Sequence, residues 1–386
     1  MLYLLRNNRR FNERLSLGRM EGMSTAPIRV ALIGYGYVGE TFHAPLIAAT
    51  DGLDLAVISS SKPDKVRARY PNARVTATPE EAITDSAVDL VVVASPNTSH
   101  VPLCTLALEA GKHVVCDKPF TITTQQARDL EKLATENDRL LSVFHDRRWD
   151  GDFLTLKQLI ADGTLDPVNY FESHFDRYRP TVRARWREGA GEGAGLWYDL
   201  GPHLLDQALV LFGPPKTIQA SIQTQREGGL SDDYAHVVLG YGAASGNRAN
   251  ALQVTLHASL LASGGSSRFL VHGNKASWLK RGLDQQEAQL LRGMKPGDAG
   301  WGIDAEDGLL FNGATSNVPG TAATGGAPEK VPNQLGCYEK YYAGVRDAIR
   351  GTAPNPVPSG DAILVMAALE AAIESARTGC RVTFQP

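Results

Sequence analysis

From Ile28 to about Asp146, short aliphatic runs alternate with amphipathic stretches, the pattern of a parallel α/β sheet. Val30 to Ile33 is short, aliphatic and β-branched, which predicts a buried strand within residues 29–34. A helix over 41–50 and a strand over 53–59 follow. Residues 89–94 form a solid aliphatic run, hence a strand buried on both faces. The pattern then gives a helix at 100–110 closed by Gly111, a strand at 113–116, a helix at 124–137 and a last strand at 140–144.

Beyond Arg147 the texture changes. Strand-like segments at 168–175, 217–225, 235–240, 251–259 and 268–272 follow one another, with helices at 153–162 and 200–212. Consecutive strands of this kind predict a mainly antiparallel sheet and an α+β domain. Residues 312–328 are small, polar and glycine-rich, the composition of an exposed loop. Residues 338–350 read as helix. Residues 359–378 read as a long amphipathic helix, with Gly360 and Asp361 at its start and Gly379 past its end. That helix is expected to pack back on the first half and join the two. The division is therefore a tail at 1–26, an α/β domain at 27–146, an α+β domain at 147–352 and a returning helix within 353–386. No internal repeat is apparent.

Composition changes this picture little. A 386-residue chain with 43% hydrophobic residues can form two or three cores. A net charge of −3 gives no reason to expect nucleic acid or a membrane surface as partner. No apolar run approaches the roughly 20 residues of a spanning helix. Four scattered cysteines without a C-x-x-C read as reduced thiols in a cytoplasmic protein. Residues 1–26 carry Arg6, Arg9, Arg10, Arg14 and Arg19 with few acids, and read as a disordered tail or as translation from upstream of Met20 or Met23.

The chemistry begins at the first turn. Gly34, Gly36 and Gly39, with Tyr37 and Val38 between them, fit G-x-G-x-x-G between a strand and a helix. Such a turn brings backbone amides and a helix N-terminus to a pyrophosphate, so the first half is a Rossmann-type dinucleotide-binding domain. After the second strand, where a carboxylate would select NAD, stand Ser59, Ser60, Ser61 and Lys62, with Arg67 and Arg69 nearby. Hydroxyls and a cation suit a 2′-phosphate, which predicts NADP with NAD as the alternative. Ser95, Pro96, Asn97 and His100 follow the buried strand and should line the cofactor cleft, although turn formation and capping alone would explain Asn97 and His100.

Lys118 stands at the mouth of another strand before Pro119, placed to polarise a substrate oxygen. Asp199 reads as the N-cap of the 200–212 helix, with Pro202 in its first turn. His203, four residues on, shares its face, with Asp206 and Gln207 as candidate partners. A histidine beside a carboxylate suits proton transfer near neutral pH. No third ligand completes a metal site with Asp199 and His203, so no metal is expected there. Arg147, Arg148, His174, Arg177, Tyr178, Arg179 and Trp186 are weaker candidates for the substrate side.

Together these motifs resemble the Gfo/Idh/MocA family. Asp117-Lys118-Pro119 is similar to its Glu-Lys-Pro signature, with Asp for Glu, and Asp199 to His203 to its Asp-x-Gly-x-His segment. FHAPLI, SVFHDRRWD, FESHFDRYRP and GLWYDLGPHLLDQ resemble the branch that includes NADP-dependent scyllo-inositol dehydrogenases. The resemblance implies an open sheet in the second domain that often forms an oligomer interface, here a homodimer or homotetramer. It also implies Asp117 at the cofactor, Lys118, Asp199 and His203 as the catalytic group, no metal, and a small polyol or sugar as substrate. A non-catalytic dinucleotide sensor and a dihydrodiol-type dehydrogenase are the alternatives.

Overall fold

The computed structural model describes residues 26–242, 251–312 and 327–385. The tail read over 1–26 and the loop read over 312–328 fall almost wholly outside them.

Six parallel strands form the first sheet: β1 (Ile28–Ile33), β2 (Leu53–Ser59), β3 (Arg74–Thr76), β4 (Leu90–Val93), β5 (His113–Cys116) and β6 (Leu141–Val143). Their order is β3-β2-β1-β4-β5-β6. The order reverses beside β1, and ligands of such sheets lie in the crevice this opens at the carboxyl ends of the strands. β4 is buried at every position, as its unbroken aliphatic run requires. β3 is too short and too polar to have been read from the sequence.

Among the described residues the second sheet has nine strands: β7 (Val168–Asp176), β8 (Thr217–Gln223), β9 (Tyr234–Gly240), β10 (Gln253–Ser259), β11 (Ser267–Gly273), β12 (Ala276–Arg281), β13 (Gly308–Asn312), β14 (Glu329–Val331) and β15 (Val382–Thr383). Their order is β14-β13-β12-β11-β7-β10-β9-β8-β15. All pairs are antiparallel except β7 with β10. The expected α/β plus mainly antiparallel α+β architecture is present, with β12 to β15 as additions. Alternate residues of β7, Phe171 and Phe175 among them, face a core shared with Leu200 and Leu204 of the helix Leu196–Phe212.

One helix ties the halves together. In Ser359–Thr378, Ala362, Ile363 and Met366 enter the first core, while Val365, Leu369 and Ala372 enter the second. The helix Glu339–Ile349, assigned above to the second domain, buries Tyr341, Tyr342 and Val345 in the first core. Its apolar face was legible, but the core it would meet was not. Among the described residues no helix is long and apolar enough to cross a membrane. Cys104, Cys116 and Cys337 are buried, Cys380 is exposed, and all four are unpaired.

Candidate active site

The glycine turn after β1 has two kinds of glycine. Gly34 has φ +99°, and a Cβ there would stand 2.6 Å from the Ala94 carbonyl oxygen. At Gly39 a Cβ would meet the Gly34 carbonyl oxygen at 2.1 Å. At Gly36 nothing lies within 4 Å of that position, so the turn packs through its outer glycines and leaves space in front of the middle one. A wide helical turn, Gly39–His43, then leads into Ala44–Ala48, and the Glu40 N–H donates back to the Gly36 carbonyl at 2.9 Å. The open face at Gly36, between two tightly packed glycines, fits the close approach of a dinucleotide pyrophosphate.

Beyond β2, Ser59 is buried, Ser60 is half-buried and its Oγ accepts the Lys62 N–H at 3.0 Å, and Ser61 and Lys62 are exposed. Asp64, the first carboxylate, is exposed and pairs with Arg67 at 3.2 Å.

After β4, Ser95 hydrogen-bonds Ser99 at 2.6 Å and Pro96 is exposed. Asn97 is buried and donates to the Gly193 carbonyl at 2.9 Å, across to the second domain. His100 is fully buried, its ring nitrogens 2.9 Å from the Pro119 carbonyl and 3.0 Å from that of Ser95. Burial holds its pKa down. It braces the loops from beneath and offers no atom to a ligand, which corrects the expectation that it lines the cleft.

Asp117 is buried after β5, where Oδ1 accepts the Lys118 N–H at 2.8 Å and lies 3.8 Å from Nε2 of His43. Burial opposes its charge, yet His43 and Lys118 outweigh that and keep its pKa below the ordinary value. The Lys118–Pro119 peptide is cis. Nζ of Lys118 donates to the Asp199 carbonyl at 2.7 Å and reaches Oδ1 at 3.3 Å.

The helix carrying Asp199 starts a turn earlier than expected, at Leu196, so Asp199 lies in the first turn and is not the N-cap. Asp232 supplies the missing acceptors: its carbonyl takes the Leu196 N–H at 2.9 Å and its Oδ2 that of Trp197 at 2.6 Å. Gly195, at φ +102°, makes room, because a Cβ there would stand 2.0 Å from Asp232 Oδ1. Pro202 falls inside the helix.

His203 is buried and its Nδ1 has no hydrogen-bond partner among the described residues. Burial drives its pKa well down, reinforced by Lys118, Arg147, His145 and Arg268. Its electrostatic setting is thus cationic, not the carboxylate neighbourhood read from spacing. Asp206 instead binds Arg148, and Gln207 binds Arg268 at 2.6 Å and the Arg147 carbonyl at 2.8 Å. Asp199 is held below the ordinary carboxylate range: burial opposes its charge, but Lys118, Arg187 and Arg177 outweigh it.

Lys118, Asp199 and His203 meet in one cavity of about 480 Å³ between the domains, whereas Ser59 to Lys62 and Ser95 to Asn97 are not among its lining residues. Tyr37, Val38, Asp117 and Lys118 line it from the first domain, Asp199 and His203 from the second. Of the weaker candidates, Arg147, Arg177, Arg179 and Trp186 also line it. Arg148 does not: it clamps Asp206 and Asp361. Tyr178 is 59% exposed. Arg183, Arg185 and Arg187 add further donors to the wall.

Two carboxylates of the cavity also went unread. Asp146, after β6, has its pKa pushed up to about 7 by burial, against the pull of Arg147 and Lys118. Glu287 binds Arg147 at 2.9 Å and accepts from the Tyr37 hydroxyl at 2.9 Å. Asp146 shares the carboxyl edge of the sheet with Lys118, a signal that could have found it. Glu287 had none. His174 belongs to neither the cavity nor its wall: with Asp176 and His257 it forms a cluster whose ligand atoms lie within 4.8 Å of one another.

Comparison with known proteins covers nearly the whole chain. Residues 28–145 match the family model GFO_IDH_MocA, oxidoreductase family, NAD-binding Rossmann fold, and residues 157–384 match its C-terminal alpha/beta domain counterpart. The uncharacterized oxidoreductase YdgJ of Escherichia coli is 50% identical over 91% of this chain and 96% of its own. The scyllo-inositol 2-dehydrogenase (NADP(+)) IolW of Bacillus subtilis is 38% identical over 91% of this chain and 94% of its own. The solved structure of the Yersinia pestis protein YPO2259 has a TM-score of 0.86 and 46% identity, covering 95% of this chain and 99% of that one.

Proposed function

The chain belongs to the Gfo/Idh/MocA oxidoreductase family, and from that premise we propose that it moves a hydride between NADP and a secondary alcohol or ketone of a cyclic polyol or sugar. The observation that carries the reading is the convergence of Lys118, Asp199 and His203 on the cavity that also receives the glycine-turn residues Tyr37 and Val38. NADP over NAD is supported by the hydroxyls and amine of Ser59 to Lys62 and by the likeness to IolW.

When bound, the nicotinamide supplies the hydride acceptor or donor. The chain's own groups handle the proton. His203, kept neutral by burial and cationic neighbours, accepts the hydroxyl proton during oxidation. Lys118 donates a hydrogen bond to the same oxygen and stabilises the developing alkoxide. Asp199 holds the Lys118 ammonium through its carbonyl and carboxylate. The arginines of the wall and Trp186 present donors and an apolar face to a hydroxyl-rich ring. A sensor would have no need of this proton-transfer set. We further propose that the protein works in the cytoplasm as a homodimer or homotetramer.

The test is cofactor reduction, followed spectroscopically with NADP⁺ and NAD⁺ in parallel, against inositols and aldoses. Turnover with NADP⁺ that is abolished in a Lys118→Met, His203→Ala double variant is expected. Tight NADPH binding without turnover of any polyol or sugar would favour the sensor.

A further inference from the structure

Away from the cavity, the strand pairing of the second sheet assembles a group of residues that the proposed reaction leaves unused. Side chains two apart on a strand share a face. Phe171 and Phe175 of β7 face the helix-covered core, so Glu172, His174 and Asp176 lie on the opposite face. β10 runs parallel to β7 with His257 directly beside His174, and His236 of β9 sits opposite His257. The His174 and His257 rings are 5.1 Å apart, centroid to centroid.

From this geometry we propose that His174, Asp176 and His257 form a binding site for a divalent transition cation of the zinc class, with Glu172 orienting His174. A tetrahedral zinc ion bound at about 2.0 Å needs its ligand atoms about 3.3 Å apart. Asp176 comes near that spacing with a different oxygen on each side, Oδ2 3.0 Å from Nδ1 of His174 and Oδ1 3.5 Å from Nε2 of His257, so its carboxylate would bridge toward the ion with both oxygens. The third ligand distance, within 4.8 Å, closes by a small turn of the imidazoles.

Two further observations point to a ligand. Oδ1 of Asp176 is buried on a side chain only 5% exposed, yet among the described residues it has no hydrogen-bond partner, its nearest cation-capable neighbour being Nε2 of His257 at 3.5 Å. An acceptor withdrawn from water in this way is stabilised by a cation. The other nitrogen of His174, Nε2, is 2.5 Å from Glu172 Oε1. A carboxylate behind a metal-bound imidazole fixes its tautomer and orientation, and here it leaves Nδ1 to the metal. The neighbouring carboxylates also supply the negative charge that two neutral imidazoles lack. Three protein ligands leave a fourth position for water or another exchangeable group.

The rival explanation is a protonated His174 that satisfies two carboxylates and binds no ion. Metal would displace that proton, so the two differ in proton release. The experiment titrates Zn²⁺ into the full chain, stripped with a chelator, by calorimetry in two buffers of different ionisation enthalpy. Co²⁺ then serves as a spectroscopic probe. The expected result is one Zn²⁺ per chain at micromolar concentration or below, with a proton released and a visible Co²⁺ band of tetrahedral intensity. His257→Ala should abolish binding, and Glu172→Gln should weaken it about 10- to 100-fold. His272→Ala, on the exposed part of β11, should leave it unchanged. The proposal is overturned if the unaltered chain takes up no Zn²⁺ at tens of micromolar, whatever the variants do. It is equally overturned if folded His257→Ala binds as the unaltered chain does.

Discussion

Nζ of Lys118 lies 2.7 Å from the Asp199 carbonyl oxygen and 3.3 Å from its carboxylate, a contact that joins the loop after β5 to a helix of the other domain. Two acceptors from one residue fix the ammonium without relying on the carboxylate alone. Lys118→Met should therefore lower kcat about 10²- to 10⁴-fold while NADPH binding is retained. Asp199→Asn keeps the carbonyl and should cost less in kcat. Steady-state kinetics beside a fluorescence titration of NADPH check both; equal losses in the two variants would count against this division of labour.

His203 should remain neutral far below the usual histidine range, because burial and its cationic neighbours disfavour the charged ring. His113 should do likewise. Burial, then Arg139, brings its pKa down to about 4, and its Nδ1 accepts the Leu140 N–H at 3.0 Å. Both lowered values mean that the unfolded chain binds these protons first, so their contribution to stability is present above pH 6.5 and declines as the pH falls below it. NMR titration of ring-labelled histidines in the free protein reads this directly; a midpoint near 6.5 for either would refute it.

Gly36 and Gly39 should fail differently. Gly36→Val places its side chain in open space and should keep the melting temperature while abolishing cofactor binding. Gly39→Val drives a side chain into the Gly34 carbonyl and should also cost about 1–3 kcal/mol of stability. Thermal melts with and without NADPH separate the two outcomes.

Cofactor choice is tested at the end of β2. Lys62→Glu should raise KM for NADP⁺ about tenfold and leave that for NAD⁺ within twofold, since a carboxylate repels a 2′-phosphate and accepts from a hydroxyl. An equal change in both would remove the residue from cofactor discrimination.

Arg148 donates from Nε to both oxygens of Asp206, at 3.1 and 2.9 Å, and from Nη1 to Asp361 at 3.1 Å. Arg148→Ala should cost about 3–5 kcal/mol by leaving Asp206 buried and unpaired. Burial opposes the charge of Asp206, but Arg148 outweighs it and lowers the pKa. The pair's contribution is thus present above the unfolded value of about 4 and is lost as pH falls below it. Urea denaturation of both proteins at pH 7 and at pH 3 should show the gap between them narrowing in acid.

What the sequence revealed was whatever its own neighbours decide. The glycine turn, the aliphatic run of β4 and the Lys118 loop are local patterns, and each lies where the periodicity put it. The start of the Leu196 helix was misread because its cap, Asp232, arrives from far along the chain. Asp206 shares a helix face with His203 yet answers to Arg148. His100 sits beside the cleft in sequence and beneath it in space. In each case the deciding partner came from another element, which spacing along one helix cannot register. The His174 cluster was hidden for the same reason: its third member stands on β10, and only the parallel pairing with β7 brings it near.

The helix Ser359–Thr378 has a thermodynamic consequence. One rigid element contributes side chains to both hydrophobic cores, so neither can melt without stripping part of the other. The two domains are therefore expected to denature as a single cooperative unit, with one transition in calorimetry. A hinge that swung them widely apart would have to break that helix or expose one of its faces. A wide swing between the glycine turn and His203 would thus be opposed by both cores at once.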